Sequence, residues 1–459
     1  MTIKTFVGAA SLLALASCGV VGPDFMKPKI NMAESFAFAP HSALRQAAQD
    51  DWWKAFRAPV LNSLMERGLR QNLSVQAAQA RILEAEYLLQ AAGPNSQISG
   101  DITLSALGVK TEGVAGDTSL RGSSSPSFVI DLFGGAKRQR EQSGANLMAA
   151  VFNKASARLA IQLAIVSAYL DLRYFQQTLA IQQRAVANKR EIVNNINLRA
   201  NVGDATRVEV RRAEAELDLA TAQLPDYIAG QRVAVLALAA LLAEPGATIN
   251  AELRKGGTQP VPRNGVHTGV PSELLRNRPD IRSAEARLAA AVAEVGVLEA
   301  QLYPSLRLGG TVTAATTSSV SFGPSLTLPI FDRPTRLARR NAAAARVEQA
   351  EIDWRQTVVD ALEEVQTALV RLDQADDRMS ALRKAEVTYR DAQNLSEEAF
   401  RLGSVTLLDL LSTQDSLTST QLQLASARRS YALSWAQVNV GIGQGWYAEA
   451  PLSHTAAIQ

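Results

Sequence analysis

The stretch QISGDITLSAL, residues 97–107, alternates apolar and polar side chains. Ile98, Ile102, Leu104 and Ala106 are separated by serine, threonine, glycine and aspartate residues. A period of two residues predicts a β-strand with one apolar face. The same alternation predicts four strands, at about residues 96–107, 120–132, 305–316 and 319–330. By period alone, these strands could equally form half-buried hairpins on a soluble core.

The length of the predicted strands favours a membrane location. Each strand has roughly 9–11 residues, which is the length that a tilted strand needs to cross a bilayer. Four strands cannot close a barrel, and an open edge in hydrocarbon leaves backbone groups unpaired. The chain is therefore expected to associate with copies of itself. Eight strands enclose an interior filled by side chains, so a conducting lumen favours three copies and about twelve strands.

Two very long helices accompany the strands. Between Pro334 and Gly403 there is neither proline nor glycine, and apolar residues recur mostly at spacings of three and four. Such a helix could approach roughly 100 Å. A second long helix is predicted at about residues 135–200. Shorter helices are predicted at about 61–92, 206–242 with a kink at Pro225, 272–301 and 405–440.

The chain contains two copies of one plan. SFVIDLF (Ser127–Phe133) aligns with SLTLPIF (Ser325–Phe331), and VGDATRVEV (Val202–Val210) aligns with LGSVTLLDL (Leu402–Leu410). We predict a first repeat over 61–254, a connector rich in glycine and proline over 255–271, and a second repeat over 272–446. An extended N-terminal segment over 18–60 precedes the repeats, and a tail over 447–459 follows them. The fold class is a mixed α+β membrane protein, mostly helical.

The N-terminus carries the only cysteine of the sequence, Cys18. Residues 1–17 have the apolar core and small terminal residues of a secretory signal. Leu15-Ala16-Ser17-Cys18 resembles the bacterial lipobox, so we expect a covalent lipid on Cys18. Gly19 stands where aspartate often retains lipoproteins at the inner membrane, which favours the outer membrane. The alternative is an unmodified cysteine in an ordinary cleavable signal. No further stretch is expected to supply the ~18 apolar residues of a spanning helix.

The composition argues against enzymes and nucleic-acid binding proteins. The formal net charge is +3, and basic residues do not cluster with aromatic ones. There is no Gly-x-x-x-x-Gly-Lys-Ser/Thr loop and no cysteine and histidine cluster with metal-ligand spacing. His41, His267 and His454 are scattered and are expected to lie at the surface. We expect no cofactor apart from the lipid on Cys18.

A glycine, a threonine and an acidic residue follow each long helix at equal spacing. They are Gly203, Thr206 and Glu209 in the first repeat and Gly403, Thr406 and Asp409 in the second. Glycine suits the left-handed position that ends a helix. Thr-x-x-Glu predicts a capping box for the next helix, and Thr-x-x-Asp approximates one. Capping alone would account for both acidic residues.

The sequence resembles the TolC-type outer-membrane factors, in the lipoprotein branch that serves resistance-nodulation-division pumps. The resemblance covers nearly the whole chain. It rests on VGPDFMKP after Cys18, WWKAF (Trp52–Phe56), DLFGG (Asp131–Gly135), LLRNRPDIRSAEARLAAA (Leu274–Ala291), LYPSL (Leu302–Leu306), LPIFD (Leu328–Asp332) and FRLGSVTLLDLL (Phe400–Leu411). It departs from the family pattern at Gly443-Gln444-Gly445-Trp446 and at Arg333-Pro334.

The resemblance implies a homotrimeric channel in the outer membrane whose long helices form a coiled-coil α-barrel in the periplasm. A periplasmic adaptor would join it to an inner-membrane pump, and small molecules would leave through it. Asp409 matches an acidic aperture position of the family, with Glu209 as its counterpart, whereas Ser412 stands where some members carry a second acid. Gly203, Thr206, Gly403 and Thr406 would dock the adaptor.

Two other functions are compatible with parts of the sequence. The chain could be the outer component of a type I protein-export system, although the lipobox and the Arg-Pro-Asp-Ile stretch favour the drug-pump branch. It could also be a periplasmic coiled-coil adaptor or scaffold lipoprotein without a pore. Such a protein usually has one helical hairpin, and the duplicated plan with four amphipathic strands argues against it.

Overall fold

The computed structural model describes residues 19–32, 35–36, 51–109, 117–262, 271–315 and 317–446. The chain forms two compact units, and each is assembled from separate stretches of sequence. The first unit takes Met1–Asn31, Ala78–Asn153 and Asp280–Val358. The second takes Met32–Ala77, Lys154–Pro279 and Val359–Gln459. Each unit therefore combines segments from both halves of the sequence.

Helices dominate the described residues. They are α1 (Pro59–Gln71), α2 (Leu73–Ala91), α3 (Gly135–Asn201), α4 (Arg207–Ala222), α5 (Leu224–Leu242), α6 (Gly246–Leu253), α7 (Pro271–Asn277), α8 (Pro279–Ala300), α9 (Arg333–Arg401) and α10 (Leu407–Gly441). The two long helices, α3 and α9, have 67 and 69 residues and confirm the predicted pair. Helix α10 confirms the helix predicted at 405–440.

Two helices that the sequence predicts as continuous are broken. The helix predicted at 61–92 divides at Asn72, whose Oδ1 accepts hydrogen bonds from the backbone N–H groups of Ser74 and Val75. Asn72 thus caps α2 while its side-chain nitrogen donates to the Leu241 carbonyl oxygen at 2.8 Å. The helix predicted at 272–301 divides at Arg278, because a residue that precedes proline is disfavoured in helical conformation.

The other corrections concern short elements. The helix predicted at 206–242 with a kink at Pro225 is interrupted at one residue, Gln223, which keeps right-handed helical angles, and proline lies in the first turn of α5. Helix α6 occupies residues that the sequence left without an element. In the segment predicted as extended over 18–60, Trp52–Phe56 forms a 3-10 helix and α1 begins at Pro59.

The 3-10 helix belongs to the core of the second unit. Trp52 is buried and its Nε1 donates a hydrogen bond of 3.1 Å to the Gln162 side-chain oxygen. The Gln162 side-chain nitrogen donates to the Gly445 carbonyl oxygen at 2.8 Å. Phe56 meets the ring of Trp435 edge-on at 5.4 Å between centroids. These contacts tie the 3-10 helix, which precedes the first repeat, to α3 and to the end of α10.

The first unit contains one antiparallel sheet. Its strands are β1 (Ile98–Ser99), β2 (Ile102–Val109), β3 (Asp117–Ser124), β4 (Ser127–Ile130), β5 (Ser305–Ala314) and β6 (Ser319–Thr327). Their order is β1-β4-β5-β3-β2, and β6 also pairs with β5. Where the sequence predicts single strands at 96–107 and 120–132, the structure has two interrupted ones. The interruptions meet, since a Cβ on Gly100 would lie 2.9 Å from the Pro126 Cα.

The strand register confirms the predicted separation of faces. Pairing between apolar positions gives one face, with partners Ile98 and Phe128, Phe128 and Leu308, Leu306 and Leu326, and Val312 and Val320. Pairing between small or polar positions gives the other face, with partners Thr103 and Ser123, Ser105 and Arg121, Arg307 and Ser325, and Thr311 and Ser321. A one-residue slip would exchange the two faces, so this register is what the alternation demands.

Two helical stretches reach the hydropathy of a membrane-spanning helix, contrary to the sequence expectation. They are windows of 18 residues within Gly135–Asn201 and Arg207–Leu242, with mean hydropathy of 1.3 and 1.2. Half of the first window is buried inside the protein. Alanine and valine raise the mean hydropathy of such helices even where they pack against protein, so length and composition alone are weak evidence for spanning.

Candidate functional site

Both long helices end in the same backbone motif. After α3, Gly203 has a φ of 81°, its N–H donates to the Ala200 carbonyl oxygen, and the Asp204 N–H donates to the Arg199 carbonyl oxygen. After α9, Gly403 has a φ of 74° and the equivalent two hydrogen bonds form. This is the Schellman ending that satisfies the last carbonyl groups of a helix. The predicted role of both glycines in ending the helices is confirmed.

Each turn then starts the next helix with a capping box. The Thr206 Oγ1 accepts from the Glu209 N–H at 3.2 Å, and the Thr206 N–H donates to the Glu209 carboxylate at 2.7 Å. Thr406 and Asp409 make the same pair of bonds at 3.2 and 2.9 Å. The predicted capping function of both threonines and both acids is therefore confirmed. Any aperture or docking function would come in addition to it.

The caps set the charge state of the two acids. The Thr206 backbone N–H and hydroxyl group hold the pKa of Glu209 below its ordinary value. The Thr406 hydroxyl group and N–H do the same for the pKa of Asp409. The caps therefore favour the ionised form of both carboxylates. Asp409 is exposed and uses one carboxylate oxygen in the box, so the other oxygen is available to solutes.

The two turns share one hydrophobic cluster in the second unit. Its buried members come from three helices and are Ile192 and Ile196 of α3, Ala213 of α4, and Leu407, Leu410 and Leu411 of α10. Phe400 of α9 packs against it, and the Arg199 guanidinium lies 5.3 Å from the centre of the Phe400 ring. The structure thus brings together the six predicted residues of both turns, which the sequence could only align.

Exposed apolar side chains border both glycines. Val202 and Leu402 are 80% and 76% exposed at equivalent positions of the two turns. Val208 and Leu408 are exposed at the next pair of equivalent positions. A Cβ at Gly203 or Gly403 would meet no atom within 4 Å. Each turn therefore offers open backbone beside apolar surface, and the internal repeat is the signal that could have identified Val202 and Leu402.

A buried lysine joins three of the helices that meet at the turns. Lys189 of α3 has a side chain that is only 4% exposed and forms ion pairs with Glu216 of α4 at 3.1 Å and Asp415 of α10 at 2.7 Å. Sequence reasoning missed this cluster. The signal was its spacing, because Lys189 falls four residues after buried Ala185 and three before buried Ile192.

A polar groove adjoins the cluster. It has a volume of about 520 Å³ and is lined by residues that include Arg212, Glu216, Tyr389, Ser412 and Asp415. Ser412 therefore faces a groove that also holds the carboxylates of Glu216 and Asp415. Among the described residues, no group of three or more histidine, cysteine, aspartate or glutamate side chains could hold a metal ion. His41, His267 and His454 lie outside those residues.

Cys18 also lies outside the described residues, which begin at Gly19. The segment that follows it is held in the first unit. The Val21 N–H donates to the Phe133 carbonyl oxygen at 3.1 Å. The Arg138 side chain, 5% exposed, donates to the carbonyl oxygens of Val21 and Gly22 at 3.1 Å each and to the Asp24 carboxylate at 2.8 Å.

Comparison with known proteins gives a consistent result. The sequence pattern of the outer membrane efflux protein family matches residues 64–244 and 270–444. Nodulation protein T of Rhizobium leguminosarum bv. trifolii is 34% identical over 455 residues, which cover 95% of this chain and 96% of the relative. The pyoverdine export outer membrane protein OpmQ of Pseudomonas putida is 30% identical over 463 residues, which cover 96% and 97% of the two chains.

Solved structures agree with these relatives. The outer-membrane channel OprN superposes with a TM-score of 0.84 at 28% sequence identity. The match covers 93% of this chain and 99% of the OprN chain.

Proposed function

Because this chain belongs to the outer membrane efflux protein family, we propose that three copies form one channel and that a lipid on Cys18 anchors each copy. It is the outer-membrane component of a tripartite efflux system, a passive conduit for small molecules. The family is not one of enzymes, and a partner must supply the energy. The partners that we propose are a periplasmic adaptor and an inner-membrane resistance-nodulation-division pump.

The sheet carries the proposal of a trimer. Its register puts an apolar face opposite a polar one, which suits lipid on one side and water on the other. Within the described residues, β2 pairs with β3 alone and β6 with β5 alone, so both edges are open. Joining β6 of one copy to β2 of the next would continue the antiparallel order. Three copies would close about twelve strands around a lumen wide enough to conduct.

The paired turns support a role in docking and gating. Open backbone at Gly203 and Gly403, next to Thr206 and Thr406, would let an adaptor approach closely. Asp409 would ring the aperture in a trimer, with Glu209 as a second acidic position. A ring of carboxylates favours cations.

The rival functions make different demands. A scaffold lipoprotein without a pore would cover the apolar face of its sheet, whereas Ile102, Leu104 and Phe322 are exposed here. The family match also argues against a scaffold. A type I protein-export channel would have the same pore. It is distinguished by its cargo, since loss of the chain would then block secretion of a protein instead of raising susceptibility to small toxic compounds.

The test of the pore combines copy number and conductance. Native mass spectrometry of the detergent-extracted protein should give three copies, and planar bilayers should show stepwise conductance. A monomer, or a preparation that conducts no ions, would refute the proposed channel.

The gating role has its own test. Asp409→Asn keeps an oxygen that can accept from the Thr406 N–H but removes the charge, so cation preference should fall while trimers persist. Asp373→Asn, an exposed acid on α9 without a partner among the described residues, is the matched control. Unchanged cation preference and unchanged block by cations in Asp409→Asn would exclude an aperture role.

A further inference from the structure

Apolar and aromatic side chains mark the end of the sheet where the helices begin. Leu328, Ile330 and Phe331 follow β6, and Phe331 is 98% exposed. Phe133, which follows β4, stacks on Tyr303, which precedes β5, with ring centroids 4.7 Å apart. Aromatic girdles of this kind lie at the membrane–water interface of β-barrels.

Basic residues begin immediately beyond these aromatic residues. Arg333 and Arg339 at the start of α9, and Lys137 at the start of α3, are exposed. Within the described part of the chain, their side chains form no ion pair or hydrogen bond. We call these three residues the basic rim.

The carboxylates close to the basic rim already have partners. Asp332 pairs with Arg336 at 2.6 Å, and Glu299 pairs with Arg340 at 2.7 Å. Asp131 accepts hydrogen bonds from the backbone N–H groups of Ala136 and Lys137. The positive charge of the basic rim is therefore left for an external anion.

Contacts through the end of α8 hold the two helix starts together. A Cβ on Gly135 would lie 3.1 Å from the Ala300 Cβ, so α3 starts against the end of α8. The Arg336 guanidinium donates to the Gln301 carbonyl oxygen at 3.0 Å, so α9 starts there as well. Lys137, Arg333 and Arg339 consequently lie within the first two turns of two neighbouring helices of the first unit.

The N-terminal segment also lies against the start of α3. The Val21 N–H bonds to the Phe133 carbonyl oxygen, and a Cβ on Gly134 would lie 3.0 Å from the Val20 Cα. Gly22 packs on Gly296, since a Cβ at Gly22 would lie 2.5 Å from the Gly296 Cα. A lipid on Cys18, which is part of the proposed function, would therefore enter the bilayer close to the basic rim.

We propose that the basic rim binds the headgroups of anionic phospholipids in the leaflet on the periplasmic side. This inference rests on the proposed function, because it takes the apolar face of the sheet to lie in the outer membrane. Long basic side chains that flank an apolar band extend to the headgroup region, where they meet phosphate. An anionic headgroup leaves net negative charge to pair with the rim, whereas a zwitterionic one does not.

The test compares lipid binding by full-length protein in detergent. Phosphatidylglycerol and phosphatidylcholine are titrated separately, and bound lipid is counted by native mass spectrometry. In the variant Lys137→Gln/Arg333→Gln/Arg339→Gln, affinity for phosphatidylglycerol should fall roughly fivefold per basic residue, about a hundredfold in all at low salt. The single variant Arg339→Gln should show about one fivefold step.

The matched control is Arg371→Gln/Arg378→Gln/Lys384→Gln. These residues are exposed on α9 beyond the first unit and change the net charge equally. The control should bind phosphatidylglycerol as the wild type does. If the control and the rim variant lost the same affinity for phosphatidylglycerol, the effect would come from net charge alone, and the proposal would be overturned.

Two further outcomes would overturn it. If the wild type bound phosphatidylcholine as tightly as phosphatidylglycerol, the anionic charge of the headgroup would not contribute to binding. Complete displacement by inorganic phosphate would assign a free-phosphate site instead of a lipid site. Conductance in phosphatidylcholine bilayers, measured on the same preparations, separates this inference from the proposed function, since the rim variant should still form pores.

Discussion

Gly403 shows how one residue serves both the end of a helix and a candidate docking surface. Its φ of 74° lies in the left-handed region, where a side chain costs about 1–2 kcal/mol, although a Cβ would meet no neighbour within 4 Å. Any effect of Gly403→Ala on the turn is therefore conformational and not steric. The same argument applies to Gly203.

We expect Gly403→Ala to destabilise the turn by about 1–2 kcal/mol, and Gly403→Asn by less, because asparagine tolerates this conformation. Amide hydrogen exchange near residues 399–406 measures the effect. Gly144→Ala is the control. It lies within α3 with open space around its Cβ and should stabilise that helix by about 0.5–1 kcal/mol. Exchange that is as slow in Gly403→Ala as in the wild type would contradict the strain argument.

The capping acids predict a pH dependence of the turns. Because folding lowers the pKa of Glu209 and of Asp409, their stabilisation is fully present above the ordinary carboxyl pKa. It is lost as the pH falls through the lowered pKa, below about pH 4. Exchange near both turns should accelerate in that range. In the double variant Glu209→Gln/Asp409→Asn, this acid-induced step should disappear, and its persistence would place the titrating group elsewhere.

At the scale of elements, Arg138 joins the N-terminal segment to α3. The Asp24 carboxylate is 88% exposed, so its ion pair contributes little, and the bonds to the two backbone carbonyl groups matter more. Arg138→Ala should lower the free energy of detaching the segment from α3 by about 2 kcal/mol or more. Trypsin should then cut faster after Lys29, which Ile30 follows. Arg138→Lys should restore only part of the protection, because an ammonium lacks the fork of donors.

Arg140→Ala provides the comparison for this experiment. Arg140 lies on the same helix and forms no ion pair among the described residues. Its loss should leave cleavage unchanged. Equal cleavage in both alanine variants would show that Arg138 does not hold the segment.

Lys189 joins three helices, α3, α4 and α10, through Glu216 and Asp415. Lys189→Met leaves these two partly exposed carboxylates without a cation, which should destabilise the second unit by about 1–2 kcal/mol. Adding Glu216→Gln and Asp415→Asn should recover most of that loss. Thermal unfolding in detergent measures both, with the exposed Arg190→Met as control. A triple variant that is less stable to heat than Lys189→Met would refute a compensating ion cluster.

For the whole molecule, the two faces of the sheet lead to opposite predictions at adjacent residues. Phe322 pairs with Gly310 on the apolar face, and Ser321 pairs with Thr311 on the polar face. An arginine facing lipid costs about 2–4 kcal/mol near the middle of the bilayer. Phe322→Arg should therefore reduce membrane assembly, whereas Ser321→Arg should assemble and shift ion selectivity toward anions.

Heat-resistant oligomers in membrane extracts and the reversal potential in planar bilayers measure these effects. Normal assembly of Phe322→Arg would show that the apolar face does not meet lipid.

Much of this fold follows from local patterns. Neighbouring residues decide the conformation in three cases. These are the alternation at residues 97–107 and 305–314, the absence of proline and glycine between Pro334 and Gly403, and the Gly-x-x-Thr-x-x-acid repeat. The break at Asn72 was harder to predict from the sequence than the interruption near Pro225. Asn72 ends a helix because its side chain also reaches the Leu241 carbonyl group, a contact 169 residues away.

Periodicity, or a cap within a few residues, was enough to predict the two long helices, the faces of the strands and the capping residues of both turns. Only the tertiary structure decided that both turns share one core and that Lys189 pairs with two acids. It also decided that the N-terminal segment lies on Arg138. Those contacts join residues far apart in the chain, and spacing along a sequence carries no information about which distant side chains meet.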